Sequence, residues 1–116
     1  METVDIHGRA HPTYQGVLDE AHKKGLKSIE TEILQFPAEA NNWLCIVKAT
    51  VTIGGIVCQG IGDASPKNVG NLISPHFVRM AETRAKGRAL RDALNIGKAL
   101  KEEMLGKELD QIAQSQ

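Results

Sequence analysis

A chain of 116 residues carrying 14 Lys and Arg against 14 Asp and Glu has a formal net charge of zero, and only 3% of its side chains are aromatic. That length makes one small domain with a modest core, and the neutral balance argues against a protein that simply coats DNA. No apolar run approaches bilayer length and no signal-peptide pattern opens the chain, so a cytoplasmic protein without membrane contact is expected.

The charge is segregated along the chain. Residues 1–75 hold six basic and eight acidic side chains, residues 76–101 hold seven and two, and residues 102–116 hold one and four. Local field rather than net charge decides where an anion docks, so the second block is where a polyanion would be sought.

Residues 1–12 show little apolar periodicity and are expected to be a flexible or extended lead-in. Tyr14, Val17, Leu18 and Ala21 recur at helical spacing, which predicts a helix over Thr13–Lys24 stopped by Gly25. From Leu26 to Phe36, Ile29, Thr31 and Ile33 alternate with Ser28, Glu30 and Glu32, a strand pattern. A turn-rich connection follows over Pro37–Asn42, then strands over Trp43–Ile53 and Ile56–Ile61. Gly54-Gly55 between them is a two-residue hairpin signal. In that register Cys45, Val47, Ala49 and Val51 share a face with Ile56 and Cys58, while Lys48, Thr50, Thr52 and Gln59 point away. One sheet face is thus expected to lie under the helix that follows.

That helix spans Ser74 to Gly97, with Ser74 as its N-cap, Pro75 in its first turn and Gly97 as its stop. At 100° per residue Arg84, Arg88 and Arg91 fall within a sector of roughly 60°, and Lys98 extends the line if the helix continues. Ala81, Ala85, Ala89 and Ala93 run down a neighbouring face, small enough for close approach to a partner surface. Arginine presents a planar, permanently charged fork suited to phosphate. Beyond Gly97, Leu100, Met104, Leu105, Leu109 and Ile112 suggest a short tail helix. The fold class is α+β, a single α-β-β-β-α domain over residues 13–101 whose antiparallel three-stranded sheet packs on the long helix, with residues 102–116 as a tail.

Other chemistries find little support. Gly55, Gly60 and Gly62 match neither G-x-G-x-x-G nor G-x-x-x-x-G-K-[ST], which argues against ATP hydrolysis. His7 and His11 lack the surroundings of a zinc helix, and two cysteines fall short of a zinc site. In the hairpin register Cys45 lies several pairs beyond the partner of Cys58, too far for a disulfide. Glu30 and Glu32 share a strand face with no nucleophile or metal cluster nearby. No enzyme and no cofactor are expected. Tyr14, Phe36, Trp43 and Phe77 make no stacking platform, and Trp43 and Phe77 are assigned to the core. A nucleic acid would therefore be held by its backbone with its bases left open.

Taken together, AHKKGLKS, the hairpin, GIGDASP at the sheet exit and AETRAKGRALRDALNIG resemble the single-strand annealing superfamily typified by the eukaryotic RAD-fifty-two recombination protein. The likeness is closest to its small prokaryotic and phage members, including the DdrA-type DNA-damage proteins, and covers about Tyr14 to Gly97. The family's G-x-G is Gly60-Ile61-Gly62 here, and its R-A-L-R is Arg88-Ala89-Leu90-Arg91. The resemblance implies a β-β-β-α core assembled into homo-oligomeric rings or arcs, with single-stranded DNA along a basic groove. It assigns groove arginines to Arg88 and Arg91. Where the family often has a lysine before the first of these, this chain has Gly87. Lys67 matches, with a one-residue shift, a basic position of a second DNA-contacting surface.

These readings lead to ATP-independent single-stranded DNA binding and annealing in recombination or repair. Arg84, Arg88 and Arg91 would carry it, with Lys48, Lys67 and Lys98 in support. One alternative is a double-stranded RNA-binding-like module, which shares the α-β-β-β-α order. Another is a self-assembling scaffold whose arginines pair between subunits with Glu102, Glu103 and Glu108. An accessory subunit without annealing activity is a third.

Overall fold

The computed structural model describes residues 1–71, 74–97 and 100–104. Two short strands come first, β1 (Thr3–Ile6) and β2 (Arg9–Pro12), followed by helix α1 (Tyr14–Lys23). Strands β3 (Leu26–Gln35), β4 (Cys45–Ile53) and β5 (Ile56–Ala64) then form an antiparallel meander in the order β3-β4-β5. A 3-10 turn over Glu39–Asn41 lies between β3 and β4, another over Ser74–His76 leads into helix α2 (Phe77–Leu94), and a third covers Lys101–Met104. The expected α-β-β-β-α core and its α+β class are present.

The lead-in is extended, one of its two expected states, and it is also paired. Residues 3–12 pair as an antiparallel hairpin in which Thr3 faces Pro12 and Ile6 faces Arg9. His7 and Gly8 turn it with φ of 53° and 79°, the left-handed pair that matches strand twist. The hairpin is tied to α1. Thr13 donates its amide to the Glu2 carbonyl at 3.1 Å and its hydroxyl to the Glu2 carboxylate. The same hydroxyl accepts from the Gly16 amide at 3.0 Å, which caps the helix. A Cβ on Gly16 would stand 2.6 Å from the Glu2 carbonyl oxygen, so this crossing requires glycine.

The three-stranded sheet follows its alternation closely. Cys45, Val47, Ala49, Val51 and Ile53 are buried toward α2, and Ile53 faces Ile56 across Gly54-Gly55. Cys45 pairs with Ala64 and Cys58 with Val51, so the two thiols are free and far apart along the ladder. Helix α2 lies over β4 and β5, with Ala81, Ala85, Ala89 and Leu90 fully buried beneath it. Val17 and Ala21 of α1 complete the core alongside, together with Leu100 from beyond α2. The cover is incomplete over β3, where Thr31 and Ile33 remain exposed on the helix side.

Three expectations are revised. Helix α2 ends on Asn95 in the left-handed conformation (φ 56°), two residues before Gly97. The Ile96 amide returns to the Arg91 carbonyl at 2.8 Å, a Schellman closure in which asparagine takes the place usual for glycine. Ser74 opens the 3-10 turn rather than capping α2, and no side chain caps that helix start. Trp43 is 49% exposed, so only Phe77 of the two aromatics packs on the core. Trp43 and Asn42 both take positive φ in the β3–β4 connection, which turns the indole outward. Of the tail helix, the structure shows the Lys101–Met104 turn with Leu100 buried, and Leu105, Leu109 and Ile112 lie outside the described residues.

Candidate nucleic-acid interface

The site starts from a match of repeats. Two residues along a strand advance about 6.7 Å, and four along a helix about 6 Å. Gly60 and Gly62 on β5 therefore meet successive turns of the alanine face of α2. A Cβ on Gly60 would lie 2.5 Å from the Ala89 amide nitrogen, and one on Gly62 would lie 2.3 Å from that of Ala85. Backbone thus rests on backbone. The glycines serve this contact and not a phosphate loop.

Among the described residues β5 is an edge strand, and no strand pairs with its outward carbonyls. The residues just before Ala85 and Ala89 in α2 are Arg84 and Arg88, and the close approach lays both along that edge. Arg88 donates through Nη1 to the Ile61 carbonyl at 2.7 Å, and Arg84 donates through Nη1 to the Asp63 carbonyl at 2.9 Å. Carbonyl oxygens fix a guanidinium in place without cancelling its charge. Arg88 also stands 3.9 Å from the Asp63 carboxylate, with 44% of its side chain exposed. Exposed pairs of this kind contribute about 0–1 kcal/mol, so a phosphate can displace the carboxylate.

Arg91 is differently placed. Its Nε and Nη2 donate to the two oxygens of Glu103 at 2.8 and 2.7 Å in a fork-on-fork pair, with Glu103 only 6% exposed. The structure therefore does not turn Arg91 toward an open channel, because a carboxylate already takes the Nε–Nη2 edge of its guanidinium. Arg84 touches the same segment, donating Nε to the Glu103 carbonyl at 3.3 Å. Of the acidic residues suggested as partners between subunits, Glu103 is satisfied within its own chain. The Glu102 side chain and Glu108 lie outside the described residues.

Of the supporting cations, the two described, Lys48 and Lys67, do not converge on one row. Lys48 lies on the sheet face turned away from α2 and pairs with Glu32 at 3.6 Å. Lys67 is exposed in the loop leaving β5, beyond Asp63. Lys98 lies outside the described residues. Sequence reasoning missed the Ile61 and Asp63 carbonyls, which carry no side-chain signature, and it missed Glu103 as the intramolecular partner of Arg91. Glu103 also accepts from the Leu100 amide at 2.7 Å, an N-cap-like spacing of three that was there to be read.

On the opposite flank of α2, an open trough of about 420 Å³ runs over β3, lined by Thr31, Ile33, Phe77, Arg79 and Glu82 among others. The nearby Lys86 sits over the Tyr14 ring at 5.1 Å and pairs with Glu82 at 3.4 Å. Among the described residues, no group of His, Cys, Asp and Glu is arranged to hold a metal, and no helix is long and apolar enough to cross a membrane. Comparison with known protein families, with curated proteins and with solved structures found no match to this chain.

Proposed function

We propose that this chain binds single-stranded DNA without ATP and anneals complementary strands in recombination or repair. The observation that supports it most is the pair Arg84 and Arg88, fixed one helical turn apart along the β5 edge by carbonyl acceptors. A strand laid along that edge meets a cation at each turn of α2, held in position before the ligand arrives. No aromatic platform stands beside the pair, so the bases stay uncovered and available for a complementary strand.

Two guanidinium groups give modest affinity alone. Repetition along an assembly of identical chains multiplies it, because each further contact becomes intramolecular. Exposed apolar side chains at both ends of the sheet support such an assembly: Leu34, Phe36 and Trp43 at one end, Ile56 and Val57 at the other. The scaffold alternative needs arginine–carboxylate pairs between chains, and the Arg91–Glu103 pair is made within one chain. A duplex-RNA reader needs a basic helix start. Here the 3-10 turn and first turn of α2 offer only His76 and Arg79.

Sizing the purified protein with and without an unstructured oligonucleotide tests the reading, with duplex RNA as competitor. The expected result is an assembly of several chains that retains the single strand and loses it to salt but not to duplex RNA. A monomer that ignores the oligonucleotide at low salt would overturn it.

A further inference from the structure

The segment Leu100–Met104 crosses α2 at the position where the third arginine of the row would meet a ligand. Its Glu103 carboxylate accepts three hydrogen bonds, from Arg91 Nε, Arg91 Nη2 and the Leu100 amide, all between 2.7 and 2.8 Å. Its main-chain carbonyl takes the Nε of Arg84. One short strap thus engages two of the three arginines, and Leu100, fully buried, anchors its beginning in the core. The floor beneath the carboxylate is Gly87. A Cβ there would stand 2.8 Å from both Cγ and Cδ of Glu103. Glycine inside a helix costs about 1 kcal/mol relative to alanine, and the strap is what occupies the space it leaves.

We propose that this strap is autoinhibitory: Glu103 occupies the Arg91 fork as a stand-in for a phosphate and leaves when a polyanionic strand competes for it. The inference rests on the strand-binding reading above. A carboxylate and a phosphate each present a pair of acceptor oxygens to a guanidinium, so the two are mutually exclusive on the Nε–Nη2 edge of Arg91. In the closed state the strap engages Arg84 and Arg91, and Arg88 is the exposed arginine of the row. In the open state Glu103 swings off Gly87, Leu100 keeps its place in the core, and Arg84, Arg88 and Arg91 form one row. A strand that binds the open row better shifts the equilibrium toward it by that difference in affinity.

Two substitutions open the strap by unrelated means. Glu103→Gln keeps the acceptor for the Leu100 amide and removes the charge that holds Arg91. Gly87→Ala leaves every charge in place and puts a methyl group where the carboxylate lies. Binding of a labelled thymidine oligonucleotide at low salt is measured for the wild type, both variants and the double variant Glu103→Gln/Arg91→Ala, with amide exchange followed across residues 100–104. Both single variants are expected to exchange faster without DNA and to bind about fivefold tighter or more, the lower range of ordinary coupling between sites. Removing Arg91 is expected to erase the gain. Released straps with unchanged affinity would overturn the proposal, as would full exchange protection in both variants. Absence of binding by every form, wild type included, would refute strand binding itself and leave the strap without a ligand to exclude.

Discussion

Gly62 lies so close under Ala85 that a side chain on it would begin 2.3 Å from the Ala85 amide nitrogen. This contact, repeated one turn along by Gly60 and Ala89, sets the depth at which α2 sits on the sheet edge. The position of Arg84 and Arg88 is a consequence of it.

Gly62→Ala is therefore expected to do two things. The helix has to lift or slide, at a cost of about 1–3 kcal/mol in urea unfolding, in the range of overpacked cores. The folded remainder loses strand affinity, because Arg84 and Arg88 no longer reach the Asp63 and Ile61 carbonyls. Gly55→Ala serves as the control, since nothing lies within 4 Å of its position. Equal stability of the two variants would show that α2 does not rest on the glycines.

The N-terminal hairpin is held to α1 through Thr13, whose hydroxyl caps the helix and meets Glu2. Thr13→Ala removes both contacts and is expected to cost about 1 kcal/mol, the usual worth of an N-cap. Amide exchange of residues 3–12 is expected to rise at the same time. Unchanged exchange would mean that the hairpin is held by other contacts.

Burial pushes the Cys45 thiol up in pKa, which keeps it protonated and unreactive in the fold. Thiol reagents are expected to label Cys58 in the native protein and Cys45 only after unfolding. The unfolded chain ionises the Cys45 thiol first. Its contribution to stability is thus complete below the ordinary thiol pKa and is lost as pH rises past it. Equal labelling of both cysteines in native protein would contradict this arrangement.

How much of this was legible in the sequence varies with the physics. The meander was readable because alternation in Cys45–Ile53 and the Gly54-Gly55 turn are local signals with one structural solution. The hairpin over residues 3–12 was not, since its strands are four residues each and bury only Ile6 and Pro12, one residue apiece. The helix end fell on Asn95 and not Gly97 because asparagine tolerates the left-handed conformation that closes the Schellman turn. In the site, the spacing of Arg84, Arg88 and Arg91 was visible from helical geometry alone. Their partners were not: the Ile61, Asp63 and Glu103 main-chain carbonyls leave no mark in a sequence, and the Glu103 carboxylate reaches Arg91 only because the chain doubles back beyond Asn95.

The central claim is that Arg84 and Arg88 neutralise phosphates of a single strand along the β5 edge. The most direct measurement is the salt dependence of oligonucleotide affinity for the wild type, Arg88→Ala and Arg84→Ala/Arg88→Ala, with folding checked by circular dichroism. Each lost phosphate contact should flatten the slope of log K against log salt by about 0.7 per binding chain. The slope should therefore flatten once with the single variant and again with the double. Parallel slopes for all three folded proteins would mean that these arginines hold the sheet edge and nothing else.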